Sequence, residues 1–110
     1  MIVYGIKSCD KVRALRKKLN EQGLQYQYRD FRDEPLSIQE IVGWLDQIPA
    51  GEAVNKRSTS WKTLNPEQRD LLTHKAGDKL QQAELLSAYP TLFKRPVMAS
   101  DDQLVFAYSG

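Results

Sequence analysis

The sequence has one cysteine, Cys9, and one histidine, His74, in 110 residues. A single cysteine cannot close an internal disulfide, which excludes a secreted scaffold stapled by bridges. One cysteine and one histidine are too few for a structural metal site, and His74 reads as a solvated helix residue. No apolar run approaches the length of a membrane-spanning helix. The N-terminus lacks the basic start and long apolar stretch of a signal peptide. Charge of one sign is also scarce: the formal net charge is +2, too small to point to nucleic acid without aromatic platforms beside it. There is no internal repeat, low-complexity tract or linker. What remains is one globular domain in a reducing cytoplasm, with no nucleic acid or membrane partner and expected to be monomeric. Its 41% hydrophobic residues suffice for a single core.

Against that background the placement of Cys9 matters. The β-forming run Ile2-Val3-Tyr4-Gly5-Ile6 stops at Lys7-Ser8, and a helical pattern begins directly behind the cysteine. Val12, Leu15 and Leu19 mark the apolar face of that helix. Arg13, Arg16, Lys17 and Lys18 mark its polar face, and Gly23 closes it in the left-handed conformation. Cys9 therefore stands between a strand and a helix N-terminus. Unpaired N–H groups and the positive end of the helix dipole stabilise a thiolate there. A lone cysteine is otherwise a small buried hydrophobe, and Asp10 beside it opposes a neighbouring anion.

Leu24 to Phe31, with aromatics on alternate positions, reads as a second strand, so the first thirty residues form a parallel βαβ unit. Asp30, Asp33 and Glu34 read as a solvated turn. Ser37 and Glu40 have the spacing of a capping box, opening a helix whose face carries Ile38, Ile41, Val42, Leu45 and Ile48 until Pro49 stops it. Trp44 packs at the flank of this helix. From Gly51 to Leu64 the pattern is irregular, with a short helical turn near Glu52 to Asn55 and Trp61 as a loop anchor near Arg57. Asn65-Pro66 starts a helix running to about Lys75. Another spans about Leu80 to Ala88. Val97-Met98-Ala99 and Leu104 to Tyr108 flank Ser100-Asp101-Asp102-Gln103 as a β-hairpin.

This order, βαβ, then helices over about 37–89, then ββ, is that of an α/β thioredoxin-like fold. Such a fold has a mixed four-stranded sheet, here with an all-helical insert between strands 2 and 3. In it the first strand delivers a cysteine to a helix start, and a proline, commonly cis, opens the third strand opposite. Cys9 and Pro96 occupy those positions.

Four segments carry a family resemblance: Tyr4-Gly5-Ile6-Lys7-Ser8-Cys9-Asp10-Lys11-Val12, Glu34-Pro35-Leu36-Ser37, Asn55 to Leu64, and Lys94-Arg95-Pro96-Val97. The chain resembles the ArsC/Spx branch of the thioredoxin superfamily, and within it the YffB-like proteins, over residues 1–110 as one domain. The resemblance implies that Cys9 is the reactive thiol, with Arg57 and Arg95 near it. It implies a glutathione-dependent thiol reductase, with glutathione as co-substrate, glutaredoxin as a further electron donor and no resident cofactor. Lys7, Lys11, Arg57, Arg95 and Pro96 then bind the substrate, because ammonium and guanidinium groups receive carboxylates or an oxyanion. Lys18 lies further along the helix. Of the three arginines of the glutathione-coupled arsenate reductases, only Arg95 is matched. The middle one falls nearer Asn55, and the third would follow the last strand, where this chain has Tyr108-Ser109-Gly110. Little arsenate reduction is therefore expected, and the family's C-terminal helix has no counterpart here. Val12 stands where Spx-type regulators carry a second cysteine, so the mixed disulfide on Cys9 is left to an outside thiol. The alternative is a non-enzymatic Spx-like module that docks on RNA polymerase or another protein, for which Glu34-Pro35-Leu36-Ser37 and Gly51 speak.

Overall fold

The computed structural model describes residues 1–74, 77–101 and 103–109. The chain forms two compact units, Met1–Pro35 with Arg95–Gly110, and Leu36–Lys94.

The first unit is the sheet. Strand β1 (Ile2–Gly5) leads to helix α1 (Asp10–Glu21) and strand β2 (Gln27–Asp30); β3 (Val97–Ser100) and β4 (Gln103–Val105) complete it. The order is β2-β1-β3-β4, with β1 parallel to β2 and antiparallel to β3, and β3 antiparallel to β4. The apolar spacing in α1 does what it predicts: Val12, Leu15 and Leu19 are all buried. Leu15 and Leu19 meet Val3 of β1, with Tyr26, Tyr28 and Tyr108 packed around them. Helix and strand approach closely at Gly5, where an added Cβ would lie 2.5 Å from Val12 Cγ2. Gly23 has φ 69°. The amides of Gly23 and Leu24 reach back to the carbonyls of Asn20 and Leu19, both at 3.1 Å, so the helix ends in a Schellman motif.

The outer strands are shorter than their sequence patterns. β2 begins only at Gln27, after the helix has finished unwinding. β4 ends at Val105, because Ala107 takes φ 53° and the Tyr108 amide turns back to the Pro96 carbonyl at 2.9 Å. Asp102, placed in the hairpin turn from sequence, lies outside the described residues.

Among the described residues the second unit is helical apart from one isolated bridge. It comprises α2 (Ile38–Gln47), α3 (Ala50–Ala53), α4 (Thr59–Thr63), α5 (Pro66–Thr73) and α6 (Lys79–Ala88), followed by a 3-10 turn, Pro90–Leu92. The expected capping box forms at Ser37 with Glu40, and Asn65 forms a second one with Gln68. Helices α2 and α6 pack together. Trp44 is buried and meets Phe93 edge-on, ring centroids 5.4 Å apart. The bridge Val54 to Phe93 and the bond from the Lys94 amide to the Ala53 carbonyl (2.9 Å) stitch the α3 exit to the end of the unit.

Three expectations shift here. Ile48 leaves the helix with an extended backbone, as the residue before a proline tends to. The short helical turn starts at Ala50, directly behind Pro49, rather than at Glu52. Trp61 is not a loop residue: it sits on α4, which starts where Ser58 accepts the Trp61 amide at 3.1 Å. The expected end of α5 at Lys75 lies outside the described residues, the observed helix stopping at Thr73. No helix among the described residues is long and apolar enough to cross a membrane.

Candidate functional site

Cys9 is the N-cap residue of α1, with φ −81° and ψ 123°. Its amide bonds to the Ile6 carbonyl at 3.0 Å and its carbonyl accepts the Arg13 amide at 3.0 Å. The thiol makes no capping hydrogen bond and is partly buried. The backbone thus performs a cap while the sulfur is left for other work. Arg13 pairs with Asp10 across the first turn, which draws the neighbouring acid's charge toward a cation.

The turn before Cys9 is held by an aspartate that sequence reading assigned to a solvated loop. Asp30 is 5% exposed. Its carboxylate accepts the Lys7 amide at 2.8 Å, the Arg32 amide at 2.7 Å and the Tyr28 hydroxyl at 3.3 Å. Burial pushes its pKa up, but the backbone amides of Arg32, Lys7 and Asp33 outweigh this and hold it below the ordinary carboxylate value. Burial, with the Asp30 charge added, pushes Tyr28 up to about 12. The Arg16 guanidinium lies over the Tyr28 ring at 3.9 Å, so α1, β2 and the turn before Cys9 join in one polar chain.

The expected cations divide. Lys7 points away to Asp33, its Nζ 2.6 Å from the carboxylate, and that hydrogen bond and charge raise its pKa. Lys11 and Arg95 do come together. With Pro96 they line a cavity of about 330 Å³ whose other walls are Ala14, Leu15 and Lys18 of α1 and Ala107, Tyr108 and Ser109. The Arg95-Pro96 peptide is cis, and Pro96 is buried. Lys18, placed apart by its position along the helix, in fact lines this cavity, and its Nζ donates to the Ser109 carbonyl at 3.1 Å. Position alone misleads because Lys11, Ala14, Leu15 and Lys18 recur at helical spacing and share one face. Arg57 belongs to the helical unit, exposed, its amide donating to Asn55 Oδ1 at 2.9 Å. A larger groove of about 1060 Å³, lined by Arg16, Asn20, Tyr26 and Tyr28 among others, holds none of the expected site residues. Among the described residues no three His, Cys, Asp or Glu side chains cluster as metal ligands.

The arrangement offers an uncapped thiol at a helix start and, in the same unit, a part-apolar cavity bordered by three cations. Comparison with known proteins gives this a context. The model of the ArsC family matches residues 4–110. A Haemophilus influenzae protein of uncharacterised function is 31% identical over 107 residues, spanning 97% of this chain and 90% of that protein. The global transcriptional regulator Spx of Listeria monocytogenes is 31% identical over 110 residues, spanning 97% of this chain and 79% of the regulator. The structure of the YFFB (PA3664) protein superposes with a TM-score of 0.79 at 24% identity, over 96% of this chain and 88% of that one. An arsenate reductase (ArsC) related protein from Brucella melitensis gives 0.76 at 28% identity, over 97% and 85%.

Proposed function

The chain belongs to the ArsC family, and from that premise we propose that it is a glutathione-dependent thiol oxidoreductase of a reducing compartment with Cys9 as nucleophile. One observation carries the reading. Cys9 heads α1 with its thiol uncommitted to capping, and Lys11, two residues on, shares a cavity with Lys18, Arg95 and Pro96. The Cys9 thiolate attacks the glutathione sulfur of a mixed disulfide, forming the Cys9–glutathione disulfide and releasing the substrate as a thiolate that takes a proton. A second glutathione thiolate, or that of a glutaredoxin, attacks the bound glutathione sulfur. Cys9 leaves as thiolate, and the two glutathione sulfurs, or the glutathione and glutaredoxin sulfurs, end joined as a disulfide. Val12 occupies the position where an internal resolving thiol would stand, fully buried, so the second thiol comes from outside. Lys11, Lys18 and Arg95 are suited to the carboxylates of the tripeptide, each charge-assisted contact contributing about 1.5–3 kcal/mol. Lys7, held by Asp33, is the weaker candidate for that role, and Arg57 rests on the family resemblance alone. With Asn55 nearest the middle of the three arginine positions, arsenate turnover with glutathione and glutaredoxin is expected to be slight.

The test is mass spectrometry after exposure to oxidised glutathione. The native chain should gain one adduct, on Cys9, removable by reductant and absent from Cys9→Ser. Arg95→Ala should form it more slowly than Lys17→Ala, whose side chain lines a different groove. No adduct under conditions that modify an ordinary exposed thiol would overturn the reading. The Spx relatives, at 31% identity, favour a second one, a regulator that docks on RNA polymerase or another protein. An adduct that forms but is never resolved by added glutathione or glutaredoxin would support it.

A further inference from the structure

We propose that Asp30 is a positioning residue for Cys9: its carboxylate, accepting the Lys7 and Arg32 amides, pins the turn from which Cys9 starts α1. The inference rests on the reading of Cys9 as the reacting thiol. It is carried by geometry within the sheet unit. Asp30 sits at the end of β2, opposite Gly5 in the parallel register. The Phe31 amide bonds to the Gly5 carbonyl at 2.9 Å, which continues the ladder one step past the strand. Beyond that point β1 has no further strand partner along this edge, and the Lys7 amide takes the Asp30 oxygen at 2.8 Å in place of a ladder carbonyl. The same carboxylate fixes the opposite turn through the Arg32 amide, while the Glu34 amide bonds to the Asp30 carbonyl at 2.8 Å.

Two residues beyond Lys7, the Cys9 amide closes its own turn on Ile6. The turn that sets Cys9 on the helix is thus clamped on one side by Asp30 and on the other by its own backbone. Tyr28 extends the clamp to the helix itself, its hydroxyl on Asp30 and its ring under Arg16. Of the residues assigned to substrate Asp30 meets Lys7, and does so at the backbone amide, so its action on chemistry passes through the turn to the Cys9 backbone. Loosening the turn lets Sγ drift from the helix N-terminus that stabilises a thiolate, and Cys9 slows.

The experiment measures Cys9 alkylation by iodoacetamide at pH 7 in the full chain, with amide spectra recorded alongside. This probe needs no glutathione, and failure of the proposed function would appear separately, as the missing adduct on the native chain. Asp30→Ala should slow alkylation about tenfold, the size expected when two part-buried amides lose a charged acceptor. Asp30→Asn loses the charge but keeps one carbonyl acceptor, so it should restore part of the rate and serves if the alanine variant does not fold. Leu19→Ala, a core truncation distant from the turn, should lose stability yet keep the rate within about twofold. The Lys7 amide proton should move upfield in both Asp30 variants. A folded Asp30 variant that alkylates at the native rate or faster would overturn the proposal, as would an equal slowing in Leu19→Ala.

Discussion

In the helical unit, Ser37, Ser58, Asn65 and Asp78 each accept a backbone N–H from the first turn of the helix they start. In the sheet unit, α1 starts on Cys9, whose backbone (φ −81°, ψ 123°) is as extended as that of Asp78 (φ −66°, ψ 117°) but whose side chain caps nothing. The two units use the same backbone device with different atoms at its tip. A side-chain cap contributes about 1 kcal/mol. α1 forgoes it and relies on burial instead, with Val12, Leu15 and Leu19 between 0% and 3% exposed. Stability that could have come from an oxygen at position 9 has been given up for a sulfur. A purely structural helix start gains nothing from that exchange; a reactive one does.

The comparison can be broken at three levels. The largest effect should come from the core of the helical unit: Phe93→Ala removes a ring that is 1% exposed and packed against Trp44, and should cost about 3–5 kcal/mol in urea unfolding. A loss near 1 kcal/mol would mean that caps rather than packing hold that unit. Asn65→Ala, which removes one capping box, should cost about 1 kcal/mol. The smallest effect has the opposite sign. Cys9→Ser should raise stability by about 0.5–1 kcal/mol, because serine supplies the missing cap to a backbone already set for it. A destabilised serine variant would show that the thiol contributes packing and that α1 lacks nothing at its start.

Much of this was legible in the residues. The period of Val12, Leu15 and Leu19, the alternation in β1 and the capping spacings at Ser37 and Asn65 are local signals, and local structure followed them. α4 was missed because a five-residue helix is too short to show a period; only Ser58, three residues before Trp61, marked its start. Asp30 was misread for another reason. An aspartate at a strand end ordinarily meets water, and the partner this one finds instead is an amide 23 residues earlier in sequence, brought alongside by the parallel pairing of β1 and β2. Lys18 and Arg95 likewise border one cavity because the chain folds β3 back beside β1. The place of Cys9 at the start of α1 was legible in its neighbours; which cations share a cavity was not, since exposed lysines and arginines carry no local sign of which cavity they border.

The most direct test of the central claim, that the uncapped start of α1 is where glutathione joins the chain, is an amide spectrum of the native protein before and after formation of the Cys9–glutathione disulfide. The account predicts that the largest shifts fall on the first turn of α1 and on Lys11, Lys18, Arg95 and Tyr108, and that reduction restores the original spectrum. Shifts scattered without reference to that cavity, or an adduct that leaves those amides unmoved, would contradict it.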